Sequence, residues 1–170
     1  MKKVAKFEKV SFEEFKKNVV KLFFNGISDV DLNNMYDCIK IPKRATKFSA
    51  GYDFYSPFDF TLVPGKTIKI PTGIRCGMNT DWVLMIYPRS GLGFKYKVRL
   101  DNTVGVVDAD YYFSDNEGHI FIKITNEGDQ VVHIKQGDAF AQGIFMEYGI
   151  TEDDCVKDTR NGGFGSTDKK

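Results

Sequence analysis

The clearest indication of the fold class is the stretch His119-Ile120-Phe121-Ile122-Lys123-Ile124-Thr125, in which isoleucine alternates with other residues. A period of two predicts a β-strand with one buried face. From residue 37 onward, similar short runs are separated by glycine, proline, asparagine and aspartate, which is the pattern of a β domain. This number of short strands predicts a sandwich, a jelly roll or a barrel. The predicted strands span residues 38–41, 51–55, 59–62, 66–70, 72–78, 82–87, 104–107, 119–125, 131–134 and 139–148.

The N-terminal part has helical periodicity instead. Apolar residues recur at helical spacing over residues 11–24, where Ser11 and Glu14 form a capping-box pattern. Asn25-Gly26 would end this helix, and residues 29–35 could add a short helical turn. The apolar stripe is most simply a face that docks on the domain or on a neighbouring subunit, and a dedicated partner-binding helix is the alternative.

Composition excludes several classes of protein. The chain has 170 residues, a size typical of one domain, and a formal net charge of +1, which gives no overall attraction to nucleic acid or to an anionic membrane. No apolar run reaches the roughly 20 residues of a membrane span, and the N-terminus lacks the apolar core of a signal peptide. We therefore expect a cytoplasmic protein. The three separated cysteines and two histidines indicate neither a disulfide framework nor a zinc or histidine-rich metal site.

The C-terminal end differs from the β domain. Glycines, small polar residues and charges dominate residues 158–170, yet Phe164 lies among them, and a purely solubilising tail does not need an aromatic ring. The chain is thus predicted to comprise a helical N-terminal extension, a β domain and a glycine-rich C-terminal segment, at residues 1–36, 37–157 and 158–170.

Three segments combine groups that suit a phosphorylated ligand. Residues 88–95, PRSGLGFK, could open a short helix where free amides, a hydroxyl and a cation meet an anion. Residues 102–111, NTVGVVDADY, offer a carboxylate that could orient or deprotonate a water beside a tyrosine ring. In residues 162–167, GGFGST, glycines allow close backbone approach and Phe164 could stack on a base, while Arg160 could reach a terminal phosphate. Each segment alone could be an ordinary turn, whereas the three together favour a nucleotide site.

These segments resemble the motifs of the homotrimeric dUTPases, in that family's usual order. The five matching stretches are residues 50–56 (AGYDFYS), 88–93 (PRSGLG), 102–111 (NTVGVVDADY), 137–142 (GDAFAQ) and 163–167 (GFGST). The resemblance implies a mainly β fold, a dUTPase-like jelly roll of the β-clip type, preceded here by the short helical extension. It also implies a homotrimer in which more than one subunit contributes to each active site.

The resemblance further implies hydrolysis of dUTP to dUMP and pyrophosphate by attack of water on the α-phosphate. Such a reaction limits uracil incorporation into DNA and supplies dUMP for thymidylate synthesis. Carried over to this sequence, Asp108 holds the attacking water as general base, and Tyr111 packs under the deoxyribose and excludes a 2′-hydroxyl. The uracil would be read by the turn that contains Asn102, Gly105, Val106 and Val107.

The phosphates and the lid are assigned by the same resemblance. Phe164, with Gly165 beside it, would cover the uracil as part of a C-terminal lid. The expected ion is Mg2+, held mainly by the triphosphate and waters rather than directly by the protein, so Asp53 would orient Arg89 or those waters. The residues expected to bind phosphate are Arg89, Ser90, Gly91, Gln142, Arg160, Ser166 and Thr167.

The chain departs from the family pattern at several places. Residues 112–117 contain an insertion before Gly118, so the turn beside the sugar could differ. Position 139 is alanine where arginine is usual, Asp168 stands where a glycine commonly ends the fifth motif, and Arg160 lies one residue closer to the glycines than is common.

Two other functions compete with this interpretation. A dCTP deaminase shares the fold, but it needs a catalytic glutamate, and none lies beside the second or third motif. A nucleotide-gated binding protein, whose trimer or N-terminal helix contacts a regulatory partner, would bind dUTP without turnover.

Overall fold

The computed structural model describes residues 2–23 and 26–158, and these form a mainly β structure. Its helices are α1 (Phe12–Leu22), α2 (Asp29–Asp37) and α3 (Ser90–Tyr96), together with a 3₁₀ helix at Ala109–Phe113. Its strands are β1 (Ala5–Lys9), β2 (Lys43–Arg44), β3 (Tyr52–Tyr55), β4 (Phe60–Leu62), β5 (Thr67–Pro71), β6 (Ile74–Met78), β7 (Trp82–Pro88), β8 (Val98–Leu100), β9 (Gly105–Val107), β10 (Phe121–Asn126), β11 (Val132–Ile134) and β12 (Ala139–Glu147).

The strands pair antiparallel in several small sheets around one core. The largest sheet has the order β2-β3-β12-β7-β9, and a second has the order β5-β10-β8, while β11 pairs with β4 and β1 pairs with β6. Side chains from all of these sheets meet in a single buried cluster, including Phe54, Phe140, Leu84, Ile122 and Ile74. The mainly β architecture expected from the sequence is therefore confirmed.

Strand β10 shows the alternation that the sequence predicts. Ile122 and Ile124 are buried, whereas Lys123 between them is exposed. Ile120 is also fully buried, but it precedes the strand, where its amide donates to the carbonyl of Ile74. The strand consequently begins later than the pattern alone indicates.

The N-terminal extension docks on the β domain and is not wholly helical. Helix α1 begins where the capping pattern predicts, because the Ser11 hydroxyl accepts a hydrogen bond from the Glu14 amide at 3.2 Å. Phe15 and Val19 on its apolar face are fully buried, which agrees with docking on the domain. Strand β1 was not predicted. It pairs with β6 and places Phe7 opposite Cys76.

Two other regions differ from the sequence prediction. No strand forms at residues 38–41, because Cys38 ends α2 with its amide bonded to the carbonyl of Asn34, and the next strand begins at Lys43. Strand β8 was not predicted, because it has too few residues to show a clear period, although Val98 and Leu100 are buried around exposed Arg99.

Within residues 2–23 and 26–158, no helix is both long and apolar enough to cross a membrane.

Candidate active site

The first cluster of candidate residues lies where three strands of the large sheet run side by side. Strand pairing places Gln142 of β12 between Asp53 of β3 and Tyr87 of β7. Arg89 follows β7 and leads into α3, so its side chain reaches Asp53, with Nε 3.2 Å from Oδ1. Arg89 also donates from Nη1 to the carbonyl of Ala139 at 3.4 Å, at the position where the family usually has arginine. The ladder thus brings the first, second and fourth motifs together.

This cluster, which we call the phosphate side, opens into a cavity of about 540 Å3 that Arg89, Ser90 and Gln142 help to line. Gln142 donates from Nε2 to the carbonyl of Pro88 at 3.1 Å, which fixes its amide. A Cβ atom at Gly51 would lie 2.4 Å from Oε1 of Gln142, so this glycine gives the amide its room. A Cβ atom at Gly91 would have no neighbouring atom within 4 Å.

The third motif forms a separate part of the surface. Asn102, Gly105 and Val107 line a second cavity, of about 380 Å3. The turn between β8 and β9 is tight, since the Val104 amide donates to the carbonyl of Asn102 at 2.6 Å and Thr103 has a positive φ of 64°.

A polar network fixes the residue just before this turn. The carboxylate of Asp101 lies 2.5 Å from Nζ of Lys123 and also accepts a hydrogen bond from Thr125. These contacts, above all the hydrogen bond from Lys123, hold the pKa of Asp101 below its ordinary value. The turn therefore starts from an anchored position.

Asp108 lies directly after β9 and is the N-cap of the 3₁₀ helix Ala109–Phe113. We call residues 108–113 the Asp108 turn. Asp108 is exposed and, with half-exposed Val106, lines a third cavity of about 530 Å3. Its carbonyl accepts from the Tyr111 amide at 3.2 Å. A closed backbone turn thus holds Asp108 at an exposed position.

Tyr111 lies in the core of the chain rather than on an open surface. It is only 2% exposed, and its hydroxyl donates to the carbonyl of His119 at 2.7 Å and accepts from Nδ2 of Asn116 at 2.8 Å. Its expected role under the sugar stays a prediction, because the single chain does not present the ring openly.

The candidate residues are therefore brought together only in part. The phosphate side and the third motif line three cavities that share no residue. The predicted lid residues Arg160, Phe164, Gly165, Ser166 and Thr167 lie outside the described residues.

Some residues that line these cavities are not indicated by the sequence motifs. Phe94 is 93% exposed and lines the phosphate-side cavity, and its place on the helix that follows Ser90 could have indicated it. Lys69 and Phe121 line the cavity of Asn102, and Tyr148 lines that of Asp108. Nothing in the local sequence relates these three residues to the third motif, since only the fold brings them there.

Within residues 2–23 and 26–158, no group of three or more His, Cys, Asp or Glu side chains could hold a metal ion. Mg2+ keeps several waters and is commonly bound through one or two carboxylates and substrate phosphates. Arg89, Ser90 and Gln142 of the phosphate side are donors suited to the phosphates that would carry such an ion.

Known proteins show the same sequence pattern. A sequence model of the dUTPase family matches residues 37–168. The deoxyuridine 5'-triphosphate nucleotidohydrolase of Lactococcus lactis is 43% identical over 132 residues, which cover 76% of this chain and 88% of that protein. The protein of the same name from Desulfitobacterium hafniense is 38% identical over 136 residues, covering 75% of this chain and 87% of that one.

Solved structures show the same fold. The dUTPase from Streptococcus mutans has a TM-score of 0.63 and 31% identity, covering 86% of this chain and 98% of that chain. The dUTPase of phage phi11 of S. aureus, described with a structural Mg(II) ion, has a TM-score of 0.60 and 22% identity, covering 72% and 92% of the two chains, so it shows the fold alone. The expected dUTPase-like β jelly roll is confirmed. With a family match over most of its length and a relative 43% identical, the chain belongs to the dUTPase family.

Proposed function

We propose that this chain is an enzyme that hydrolyses dUTP to dUMP and pyrophosphate, and thereby limits uracil incorporation into DNA and supplies dUMP for thymidylate synthesis. The observation that carries the proposal is the position of Asp108, which is exposed and directly follows the strand that continues from the turn of Asn102. The relatives from L. lactis and D. hafniense are deoxyuridine 5'-triphosphate nucleotidohydrolases, which supports the same reaction.

In the proposed mechanism Asp108 orients a water molecule toward the α-phosphorus and takes one of its protons. A bond forms between the water oxygen and phosphorus while the bond from phosphorus to the bridging oxygen breaks, so that pyrophosphate leaves. Such a transfer needs positioning and charge neutralisation rather than a covalent intermediate. Arg89 and Ser90, which line one cavity with Gln142, would donate to phosphate oxygens as charge builds on the leaving group.

Base selection is assigned to the turn before Asp108, and sugar selection to Tyr111 after it. Asn102 and Gly105 lie in the wall of the 380 Å3 cavity, and with the main chain of Val106 and Val107 they would read uracil, with no room for the methyl group of thymine. Tyr111 would exclude a 2′-hydroxyl group.

Mg2+ would be held by the triphosphate and waters, where it offsets negative charge on the leaving pyrophosphate. Asp53 acts through Arg89 in this proposal. Its carboxylate lies 3.2 Å from Nε of Arg89, so it directs the guanidinium toward the phosphate-side cavity.

We also propose a homotrimer with shared active sites. The cavities of Asp108 and Arg89 share no lining residue, although the reaction needs both groups on one triphosphate. A second subunit can supply the missing half, and partly exposed apolar side chains on β7 and β12 offer it a surface: Val83, Met85, Ile144 and Met146. In this proposal the segment 158–170, with Arg160, Phe164, Gly165, Ser166 and Thr167, closes over the site.

The shared site is tested by mixing two inactive variants. Asp108→Asn and Arg89→Ala subunits, unfolded and refolded together, should regain turnover, because some mixed trimers pair an intact Asp108 with an intact Arg89. A mixture no more active than either variant would contradict the shared site. A sedimentation mass of one subunit under active conditions would do the same.

The reaction itself is tested by pyrophosphate release from each deoxynucleoside triphosphate and from UTP, with Mg2+ present. Release from dUTP alone is the expected result. Ammonia release from dCTP would favour a deaminase, and tight dUTP binding without turnover would favour a regulatory binding protein. Location in the cytoplasm, or in the host cytoplasm if the chain is viral, is part of the proposal and is tested by cell fractionation.

A further inference from the structure

Two departures from the family pattern lie against each other. The N-terminal extension precedes residue 37, where the family match begins. The turn at residues 112–117, which contains the insertion, is called the inserted turn. Within the described chain they are joined by side-chain hydrogen bonds. The hydroxyl of Tyr112 donates to Oε2 of Glu8 at 2.6 Å, and Glu117 accepts from both the amide and the hydroxyl of Ser11, at 2.7 and 2.6 Å.

Glu117 caps helix α1 from a distant part of the chain. In a capping box the residue three positions after the cap returns a hydrogen bond to the cap amide. Here Glu14 holds that position, but its carboxylate accepts from Asn18 instead, and Glu117 binds the Ser11 amide from 106 positions away. The end of the inserted turn therefore replaces the local cap.

The backbone of the inserted turn is built for this contact. Glu117 has a φ of 58° and Gly118 a φ of 71°, both in the left-handed region. A Cβ atom at Gly118 would lie 2.8 Å from Cα of Tyr112, so only glycine fits there. The turn thus folds back on its own start and brings Glu117 to the helix.

Tyr112 is held on two sides. Its ring lies under the guanidinium of Arg75, 3.6 Å from the ring centre, and its carbonyl accepts from Nη2 of Arg75 at 3.0 Å. Arg75 pairs with Glu8 in the ladder between β6 and β1, so the strand of the extension carries the acceptor for the Tyr112 hydroxyl.

Tyr112 belongs to the Asp108 turn. The 3₁₀ helix begins after Asp108 and includes both Tyr111 and Tyr112. Its first hydrogen bond joins the Tyr111 amide to the Asp108 carbonyl, and Asn116 of the inserted turn donates to the Tyr111 hydroxyl. A shift of Tyr112 would therefore move the backbone that aims the Asp108 carboxylate.

We propose that the N-terminal extension positions the general base, with Glu8 and Ser11 holding the Asp108 turn through Tyr112 and Glu117. Tyr112 and Glu117 are positioning residues that act through the backbone and not on the substrate. The inference rests on the proposed dUTP hydrolysis. It gives the extension a part in turnover, since a small misplacement of a reacting group can cost a large part of the rate.

The test compares two substitutions that each remove one side-chain hydroxyl from the extension's contacts. Tyr112→Phe deletes the bond to Glu8. Ser28→Ala deletes the 3.1 Å hydrogen bond from the Asp31 amide to the Ser28 hydroxyl, which caps α2 within the extension and involves no residue of the Asp108 turn. We expect Tyr112→Phe to lower kcat for dUTP roughly tenfold with KM within about twofold, and Ser28→Ala to leave kcat within about twofold at a similar loss of Tm.

A second variant covers the case in which Tyr112→Phe folds poorly. Glu8→Gln weakens the same bond from the other side, and its effect on kcat should not add to that of Tyr112→Phe. Unchanged kcat in both Tyr112→Phe and Glu8→Gln, or an equal loss of kcat in Ser28→Ala, would overturn the positioning role while dUTP hydrolysis stands. A parent chain without dUTP turnover would overturn the proposed function, and this inference with it.

Discussion

The two halves of the candidate site are held in place by different means. On the phosphate side, Asp53 and Gln142 are register partners in the sheet, and Arg89 follows the neighbouring strand. The Asp108 turn leaves the sheet at the end of β9. Its Tyr112 donates to Glu8 of β1, and Glu117 beyond the turn accepts from Ser11 at the start of α1. One half depends on backbone ladders, and the other on hydrogen bonds between distant parts of the chain.

This difference separates what is common to the family from what is particular to this chain. Ladder hydrogen bonds are made by the backbone, so the strands of the phosphate side can pair with many side chains on them, and the contact of Asp53 with Arg89 is added to that frame. The contacts of Glu8 and Ser11 need particular side chains, and they lie in the segment before the family match. Substitutions should therefore disturb the Asp108 turn more selectively than the phosphate side.

The largest effect is expected from the general base. Asp108→Asn should lower turnover of dUTP by about 10²–10⁴-fold, because the amide cannot take the proton from water. Binding of dUTP and Tm should change little, since the side chain is exposed. Pyrophosphate release and calorimetric binding measure the two quantities. The matched control is Asp115→Asn, at an exposed aspartate of the inserted turn, and its turnover of dUTP should stay near that of the parent. If Asp108→Asn lowers turnover by less than about threefold, Asp108 is not the general base.

A smaller effect is expected on the phosphate side. Asp53→Asn removes the carboxylate that holds Nε of Arg89, and we expect kcat/KM for dUTP to fall by roughly tenfold, the value of one hydrogen bond to a charged group. Because Asp53 acts apart from the Asp108 turn, its effect should multiply with that of Tyr112→Phe. Steady-state kinetics of the double variant tests this independence. If kcat/KM of the double variant is no lower than that of the more impaired single variant, the phosphate side and the Asp108 turn act together and not independently.

Local patterns predict the β domain and its motifs well. The capping pattern at Ser11 correctly gives the start of α1, and the alternation of Ile122 and Ile124 gives the buried face of β10. Strand β1 could not be predicted in this way, because its charged sequence has a weak strand pattern and becomes ordered by pairing with the edge of β6. Its one aromatic side chain, Phe7, packs against Phe54 and Phe145 from distant strands.

The site could be predicted in chemistry but not in arrangement. The motif resemblance names Arg89, Gln142 and Asp53, and the structure brings these three side chains together. The sequence does not show that Tyr111 would be buried, because its hydroxyl partners His119 and Asn116 become neighbours only when the inserted turn closes. It also gives Glu14 as the reciprocal cap of α1, whereas that bond comes from Glu117.

The smallest effect concerns pH and tests whether the remote cap contributes to stability. The hydrogen bond from the Ser11 hydroxyl holds the pKa of Glu117 below its ordinary value of 4.5, and Arg75 adds to the shift. Since the folded pKa is the lower one, the stabilisation is fully present above the unfolded value and is lost as pH falls through the folded pKa. Burial lowers the pKa of nearby His119 to about 3, so this ring is neutral over most of that range. Glu117→Gln should reduce the acid-induced loss of unfolding free energy by up to about 1 kcal/mol, measured by denaturant titration across pH. The control Glu152→Gln, at an exposed residue near the C-terminal end of the described chain, should show the same pH profile as the parent. If the Glu117→Gln and parent profiles run parallel, the cap adds no pH-dependent stability to the fold.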